Sequence, residues 1–293
     1  MEGKATRDNR IYMGTLLILL QSLLYGFGDP ISKAAYDTIG VYSLLAVRYS
    51  IALLSFLLIG GKKILQGLKA CSPKVWLLPS VCIAGCYLLN NAAMVLTTAT
   101  ASAFLRSLST VMTPVLALVV YRRKYHWYHI PIQAMVVVGL YLLCCAGGLS
   151  GFGLGEIITL LSALLMAGAL VFGGEALKQV DPITLSTVQT ATSVVMSVTC
   201  AFLFEGGIVL TGATPSIWMT IVYLAVLCTF AGYLLQNVAL QKMPSRTVAV
   251  VQCCAPVMTA VFSFFILGER LSGAGILGAV IILVCVIAET LLK

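Results

Sequence analysis

Ten runs of apolar residues, each about 18 to 24 residues long, follow one another along the chain with only short polar interruptions. They cover approximately 11–28, 41–60, 75–96, 98–121, 128–147, 154–174, 183–204, 216–239, 246–267 and 272–291. A helix rises 1.5 Å per residue, so ~20 apolar residues cross the ~30 Å hydrocarbon core of a bilayer. Each run therefore predicts a membrane-spanning helix. The interruptions carry charge or helix-stopping residues: Gly28-Asp29-Pro30, Gly60-Gly61-Lys62-Lys63, Cys71-Ser72-Pro73-Lys74, Arg122-Arg123-Lys124, Gly147-Gly148, Lys178 to Pro182, Glu205-Gly206-Gly207 and Gly268-Glu269-Arg270. Between the third and fourth runs only Thr97 and Thr98 mark a division. The expected fold is an all-α integral membrane protein with ten transmembrane helices.

Lysine and arginine then set the orientation. With residues 1–10 as a cytoplasmic tail, the inner segments hold Lys4, Arg7, Arg10, Lys62, Lys63, Lys69, Lys74, Arg122, Arg123, Lys124, Lys178, Lys242, Arg246 and Lys293. The outer segments hold only Lys33 and Arg270, while Arg48 and Arg106 fall within runs. Both termini are expected in the cytoplasm, in a multi-pass plasma-membrane protein. The first run also has the shape of a signal peptide, a basic lead followed by an apolar stretch.

An internal repeat bears on that choice. Tyr87-Leu-Leu-Asn90-Asn91-Ala-Ala-Met94 matches Tyr233-Leu-Leu-Gln236-Asn237-Val-Ala-Leu240 at a shift of 233 − 87 = 146. The same shift, without a gap, sets Val111-Met112-Thr113 on Val257-Met258-Thr259. Earlier in each half a shift of 189 − 48 = 141 sets Arg48 on Gln189 and Tyr25 on Met166. Residues 11–150 and 151–293 thus read as two units of five spans. Five is odd, so the units face opposite ways, a layout in which a midplane site can open alternately to either side. The first span is the counterpart of the sixth and is expected to be retained.

At these residues the chain resembles the EamA-type permeases of the drug/metabolite transporter superfamily, over nearly its whole length. The carriers in the first half are Tyr25-Gly26 and Ala46-Val47-Arg48-Tyr49; in the second they are Ala255-Pro256-Val257 and Gly268-Glu269-Arg270. The first half departs, with Arg122-Arg123-Lys124 in place of Gly-Glu-Arg, and with Pro114 one turn later than the counterpart of Pro256. The resemblance implies a ten-helix secondary transporter of small metabolites, often an exporter.

Polar groups are costly in lipid and tend to face a cavity or a neighbouring helix. The fourth span carries the clearest stripe: Ser102, Arg106, Ser109 and Thr113. Arg106 lies ~13 Å deep, close to the midplane. Its planar fork of donors suits a carboxylate or phosphate, which gives one reading, an anchor for an anionic solute such as an amino acid or other carboxylate. The other is an internal ion pair with Asp29, Glu156 or Glu289, or a carbonyl contact. Its repeat counterpart is Gln252 (252 − 106 = 146). The sets Tyr87/Asn90/Asn91 and Tyr233/Gln236/Asn237 each occupy one helical face. Inverted topology places the first near the outer surface and the second near the inner, as cavity walls, gates or packing contacts. Pro114 and Pro256 are expected to bend their spans as hinges. Arg48, about two turns below the outer surface, is able to snorkel outward and reads as a structural residue. Ser186, Gln189, Thr190, Ser193 and Ser197 form a small-residue packing face.

Composition narrows the function. The chain is 60% hydrophobic and 10% charged, with a mean hydropathy of +1.03, where a soluble domain is ~25% charged. The net charge of +8 could suggest nucleic acid, but the basic residues are confined to inter-span segments and form no recognition face. Trp76, Trp127 and Trp218, with Tyr125, His126, Tyr128 and His129, read as interfacial anchors. All ten cysteines except Cys71 fall inside apolar runs and read as free thiols. No histidine or cysteine spacing predicts a metal site, and no cofactor or nucleotide-binding motif occurs in a usable context. Uphill movement must then draw on a proton or ion gradient, or on solute exchange. Glu156, Glu175 and Glu289, near span ends, are carboxylates able to take protons. A membrane-embedded enzyme acting on a lipid-like substrate is the alternative function, though the runs hold no paired carboxylates or His/Asp pair to serve it.

Overall fold

The structure, a computed structural model, describes residues 2–97, 99–122, 130–145, 153–268 and 272–291. All their regular structure is helical: α1 (Glu2–Tyr36), α2 (Val41–Ala70), α3 (Pro73–Leu96), α4 (Ala99–Ser107), α5 (Ser109–Tyr121), α6 (Ile130–Cys145), α7 (Leu154–Ala176), α8 (Pro182–Phe204) and α9 (Pro215–Tyr223). A π-helical segment, Leu224–Ala231, joins α9 to α10 (Gly232–Lys242); α11 (Ser245–Gln252), α12 (Cys254–Leu267) and α13 (Gly273–Leu291) follow. Among the described residues, seven helical stretches are long and apolar enough to cross a membrane, and three apolar helices, Leu105–Tyr121, Ile130–Leu142 and Gly273–Glu289, are shorter. Several expected features lie outside the described residues: Arg123-Lys124, the segment with Trp127, His126 and His129, Gly147-Gly148, Glu269-Arg270 and Lys293.

Three expected boundaries differ. The Gly28-Asp29-Pro30 break does not end α1, which runs on to Tyr36 with Pro30 inside it. Proline removes only one backbone donor, and Ser32 Oγ donates to the Gly28 carbonyl at 2.7 Å, adding a local contact beside it. The helix α2 likewise passes its Gly60-Gly61 break, with Gly61 alone leaving helical geometry (φ 27°). Glycine carries that backbone conformation without the Cβ penalty. Third, the bends expected at Pro114 and Pro256 lie earlier. The helix breaks at Leu108 (φ −63°, ψ −11°) and at Cys253 (φ −65°, ψ −8°), which turn the chain the same way. Pro256 reaches back to its break, because its ring opposes the carbonyl four residues earlier, that of Gln252. Pro114 does not: it frees the Thr110 carbonyl, which accepts from Gln133 Nε2 at 3.3 Å.

The packing exchanges partners between halves. The first helix of the first half, α1, packs on α10 and α12; the first of the second half, α7, packs on α3 and on α4–α5. The second helices, α2 and α8, pack on each other, as do the last, α6 and α13. Close approach makes the α1 contact possible: a Cβ on Gly26 would lie 2.3 Å from Met258 Cβ. The start of α2 is capped from afar. Glu205 accepts from the backbone N–H of Tyr42 and Ser43, each at 2.8 Å, and from Ser43 Oγ at 2.6 Å. A carboxylate there meets the free N–H groups and positive end of the helix. In the other half α8 is capped by its own Asp181, which accepts from Ile183 and Thr184 N–H at 3.1 Å each.

Candidate functional site

The repeat-related tyrosines meet. Tyr87 and Tyr233 stack with ring centres 5.6 Å apart, and Tyr25 stands edge-on to Tyr87 at 5.9 Å. The expected separation to opposite surfaces therefore does not hold for the two tyrosines themselves. Both residues lie mid-bundle, where the two halves touch. Their hydroxyls, with those of Tyr25 and Tyr49, are buried without a hydrogen-bond partner among the described residues.

Two small cavities flank these rings, and Tyr25, Tyr87 and Arg106 border both. The first, about 30 Å³, also meets Gln21, Ser109 and Gln252. The second, about 10 Å³, also meets Asp29, Arg48 and Asn91. A water needs ~10–15 Å³ on this scale, so the first has room for about two waters and the second for one at most, whereas small-molecule sites span ~300–1,000 Å³. The conformation is closed at its centre.

Arg106 and Gln252 border one cavity, as the repeat predicts. They are satisfied differently. Arg106 pairs with Asp29 at 2.9 Å, which is the internal ion pair weighed from the sequence; the anchor role now has this partner to displace. Gln252 Nε2 donates to Gln236 Oε1 at 2.9 Å and to Gln21 Oε1 at 3.2 Å, and Gln21 Nε2 donates to Gln236 at 3.1 Å. Asn237 Nδ2 donates to Gln189 Oε1 and Ser186 Oγ, both at 2.8 Å.

The fourth-span stripe is buried but divides in use. Arg106 and Ser109 border the larger of the two cavities. Ser102 donates to Asn90 Oδ1 at 3.1 Å, and Thr113 turns back on the Ser109 carbonyl at 2.7 Å. Asn91 accepts from Tyr36 Oη at 2.5 Å and donates to the Tyr87 carbonyl at 2.7 Å. On α8, Thr190, Ser193 and Ser197 bond to carbonyls of their own helix, as a packing face does. Glu289 and Glu156 each have polar partners. Glu289 is buried, 3.5 Å from Arg246 and 3.3 Å from Thr247. Glu156 accepts from Thr97 Oγ1 at 2.5 Å and from Gly153 N–H at 2.9 Å. Cys71, Cys82, Cys86, Cys200, Cys228, Cys253, Cys254 and Cys285 are free thiols, and no metal-binding cluster occurs among the described residues.

Arg48 corrects the sequence reading. It does not snorkel: it is 6% exposed, borders the smaller cavity, and donates from Nε to Thr229 Oγ1 at 2.8 Å. The π-helical segment carries that threonine inward, and no signal along α2 alone announces it.

A profile of the EamA-like transporter family matches twice, over residues 12–145 and 153–288. The chain belongs to the EamA-like transporter family. It is a membrane transporter, an EamA-type permease of the drug/metabolite transporter superfamily. The family match is supported by an uncharacterized transporter of Archaeoglobus fulgidus, 26% identical over 295 residues, covering 99% of this chain and 89% of the relative. A solved crystal structure shares the fold, with a TM-score of 0.78 at 17% identity, covering 97% of this chain and 96% of its own.

Proposed function

We propose that this EamA-family protein is a secondary-active transporter that exports a small carboxylate-bearing metabolite by alternating access. In this reading ten spans form two inverted units, residues 11–150 and 151–293. The lysine-rich end faces the cytoplasm across the plasma membrane. The observation that carries the reading is the exchange of helix partners around the Tyr87/Tyr233 stack, with matched breaks at Leu108 and Cys253 beside polar cavities. Broken helices at the midplane of a two-fold repeat are a recurring transporter layout. The cavities are too small for a metabolite, so a solute enters only when the halves rock apart. Arg106, Gln252, Ser109, Tyr87 and Tyr233 then line its path, with Asn90, Asn91, Gln236, Asn237, Ser102 and Thr113 holding those groups in place. Pro114 and Pro256 soften the helices that bend.

Direction is supported by charge. A hollow of about 510 Å³ at the lysine-rich end is bordered by Arg10, Lys178 and Lys242, and basic rims raise the local concentration of anions. Energy comes from an ion gradient or from exchange. Purified protein in proteoliposomes is expected to carry labelled carboxylates outward from the side bearing the lysine-rich end. Absence of flux for every small solute, with turnover of a lipid instead, would overturn the reading in favour of a membrane enzyme.

A further inference from the structure

Arg48 is the charge that the fold leaves unbalanced. Two arginines border the smaller cavity, and only one has a carboxylate: Asp29 pairs with Arg106. Arg48 lies 5.5 Å over the Tyr49 ring, and its single polar contact among the described residues is Thr229. That contact is one-directional. The Thr229 hydroxyl gives its proton to the Leu224 carbonyl at 3.0 Å, so it can only accept from Arg48. A guanidinium has five N–H donors and no acceptor, and the Thr229 bond uses one of them. The rest of the group borders a cavity beside neutral groups, Tyr25, Tyr87, Asn91 and Cys228.

The charges can be summed. Arg48 and Arg106 contribute two positive charges and Asp29 one negative, so the cavity carries 2 − 1 = +1. A buried ion without a counter-ion is strongly unfavourable, and one incoming negative charge removes the imbalance. A zwitterion leaves it, and a dianion reverses it.

We propose that Arg48 is the solute anchor of this transporter, and that the site selects carboxylates of single net negative charge over zwitterionic amino acids. The claim rests on the transporter reading above and gives it a substrate class. Asp29 keeps the second guanidinium occupied, so that one binding charge remains.

The test compares variants of the detergent-purified protein by thermal unfolding, at constant ionic strength. The probes are pyruvate, benzoate and alanine. Without ligand, Arg48→Gln is expected to melt higher than the native protein, because it removes an unpaired buried charge. Arg106→Gln is expected to melt lower, because it strands Asp29. Pyruvate or benzoate is expected to raise the melting temperature of the native protein, and alanine to leave it unchanged. Arg48→Gln should weaken carboxylate binding at least about tenfold, as loss of a charged hydrogen bond implies. Arg48→Lys, which keeps the charge, should retain the preference over alanine. The proposal fails if neither carboxylate stabilises the native protein, if alanine does so equally, or if Arg48→Gln keeps the full response. It fails too if Arg48→Gln melts lower, as a purely structural arginine would. Should Arg48→Gln not fold, loss of the preference in Arg48→Lys overturns it. Carboxylate binding without flux of any solute would instead sink the transport reading and leave the anchor standing.

Discussion

Matched positions in the two halves carry different chemistry. Where the first half places Arg48 and Arg106, the second places Gln189 and Gln252. An amide has both donors and an acceptor, so the second half ties its polar groups to one another: Gln252 to Gln236, Asn237 to Gln189. The leftover atoms, such as Gln189 Nε2 and Asn237 Oδ1, are neutral. A guanidinium offers only donors and a permanent charge, and must find its acceptor elsewhere. Arg106 finds Asp29 and Arg48 finds Thr229. The comparison teaches that one fold can hold a self-satisfied polar face in one half and a charge-dependent one in the other.

The sharpest way to break this comparison is Arg106→Gln, which copies the second half into the first. It leaves the part-buried Asp29 without its cation and should cost about 3 kcal/mol of stability, the lower end for a broken buried pair because Asp29 is 18% exposed. Adding Asp29→Asn should recover most of that loss in thermal unfolding. Equal melting of the single and double variants would show that the pair is not what holds α1 to α4. Next in size is Gly26→Ala. Its methyl would meet Met258 at 2.3 Å, and overpacking of that kind costs about 1–3 kcal/mol. The second half already has a methyl at the matched Ala167 (167 − 26 = 141), so Ala167→Ser should be tolerated better. A smaller effect separates the two caps. Glu205→Ala removes the acceptor shared by α2's first N–H groups and should lose about 1 kcal/mol, as should Asp181→Ala on α8. Hydrogen exchange should open the start of α2 in the first variant and that of α8 in the second. Smallest is Gln252→Leu, which interrupts the amide network for about 0.6 kcal/mol. A loss as large as that of Arg106→Gln would remove the distinction between the halves.

Much of this was legible in the sequence where the signal is local or periodic. The apolar runs mark the helices, and the 146-residue register pairs Tyr87 with Tyr233 and Arg106 with Gln252, which the structure brings together. What escaped depends on partners distant in sequence. Gly28-Asp29-Pro30 has the composition of a turn, yet packing carries α1 through it and turns Asp29 toward Arg106. Arg48 reads as a snorkelling side chain until a π-helical segment about 180 residues away supplies an acceptor. A π-bulge has no dependable sequence signature but often marks functional sites. The break at Leu108 is not the one that Pro114 announces, and the cap from Glu205 is visible only once α2 and α8 are packed.

The Tyr87/Tyr233 stack has a role that follows from its place between the halves. Under the proposed two-fold exchange, a contact made by two equivalent residues is altered equally whichever way the cavity opens. Its energy therefore cancels from the difference between the two open states and survives only in the height of the barrier between them. Strengthening or weakening the stack would change how fast the molecule turns over without tilting it toward either side of the membrane. Any such tilt has to come from pairs that the exchange does not map onto themselves, and Arg48 opposite Gln189 is one.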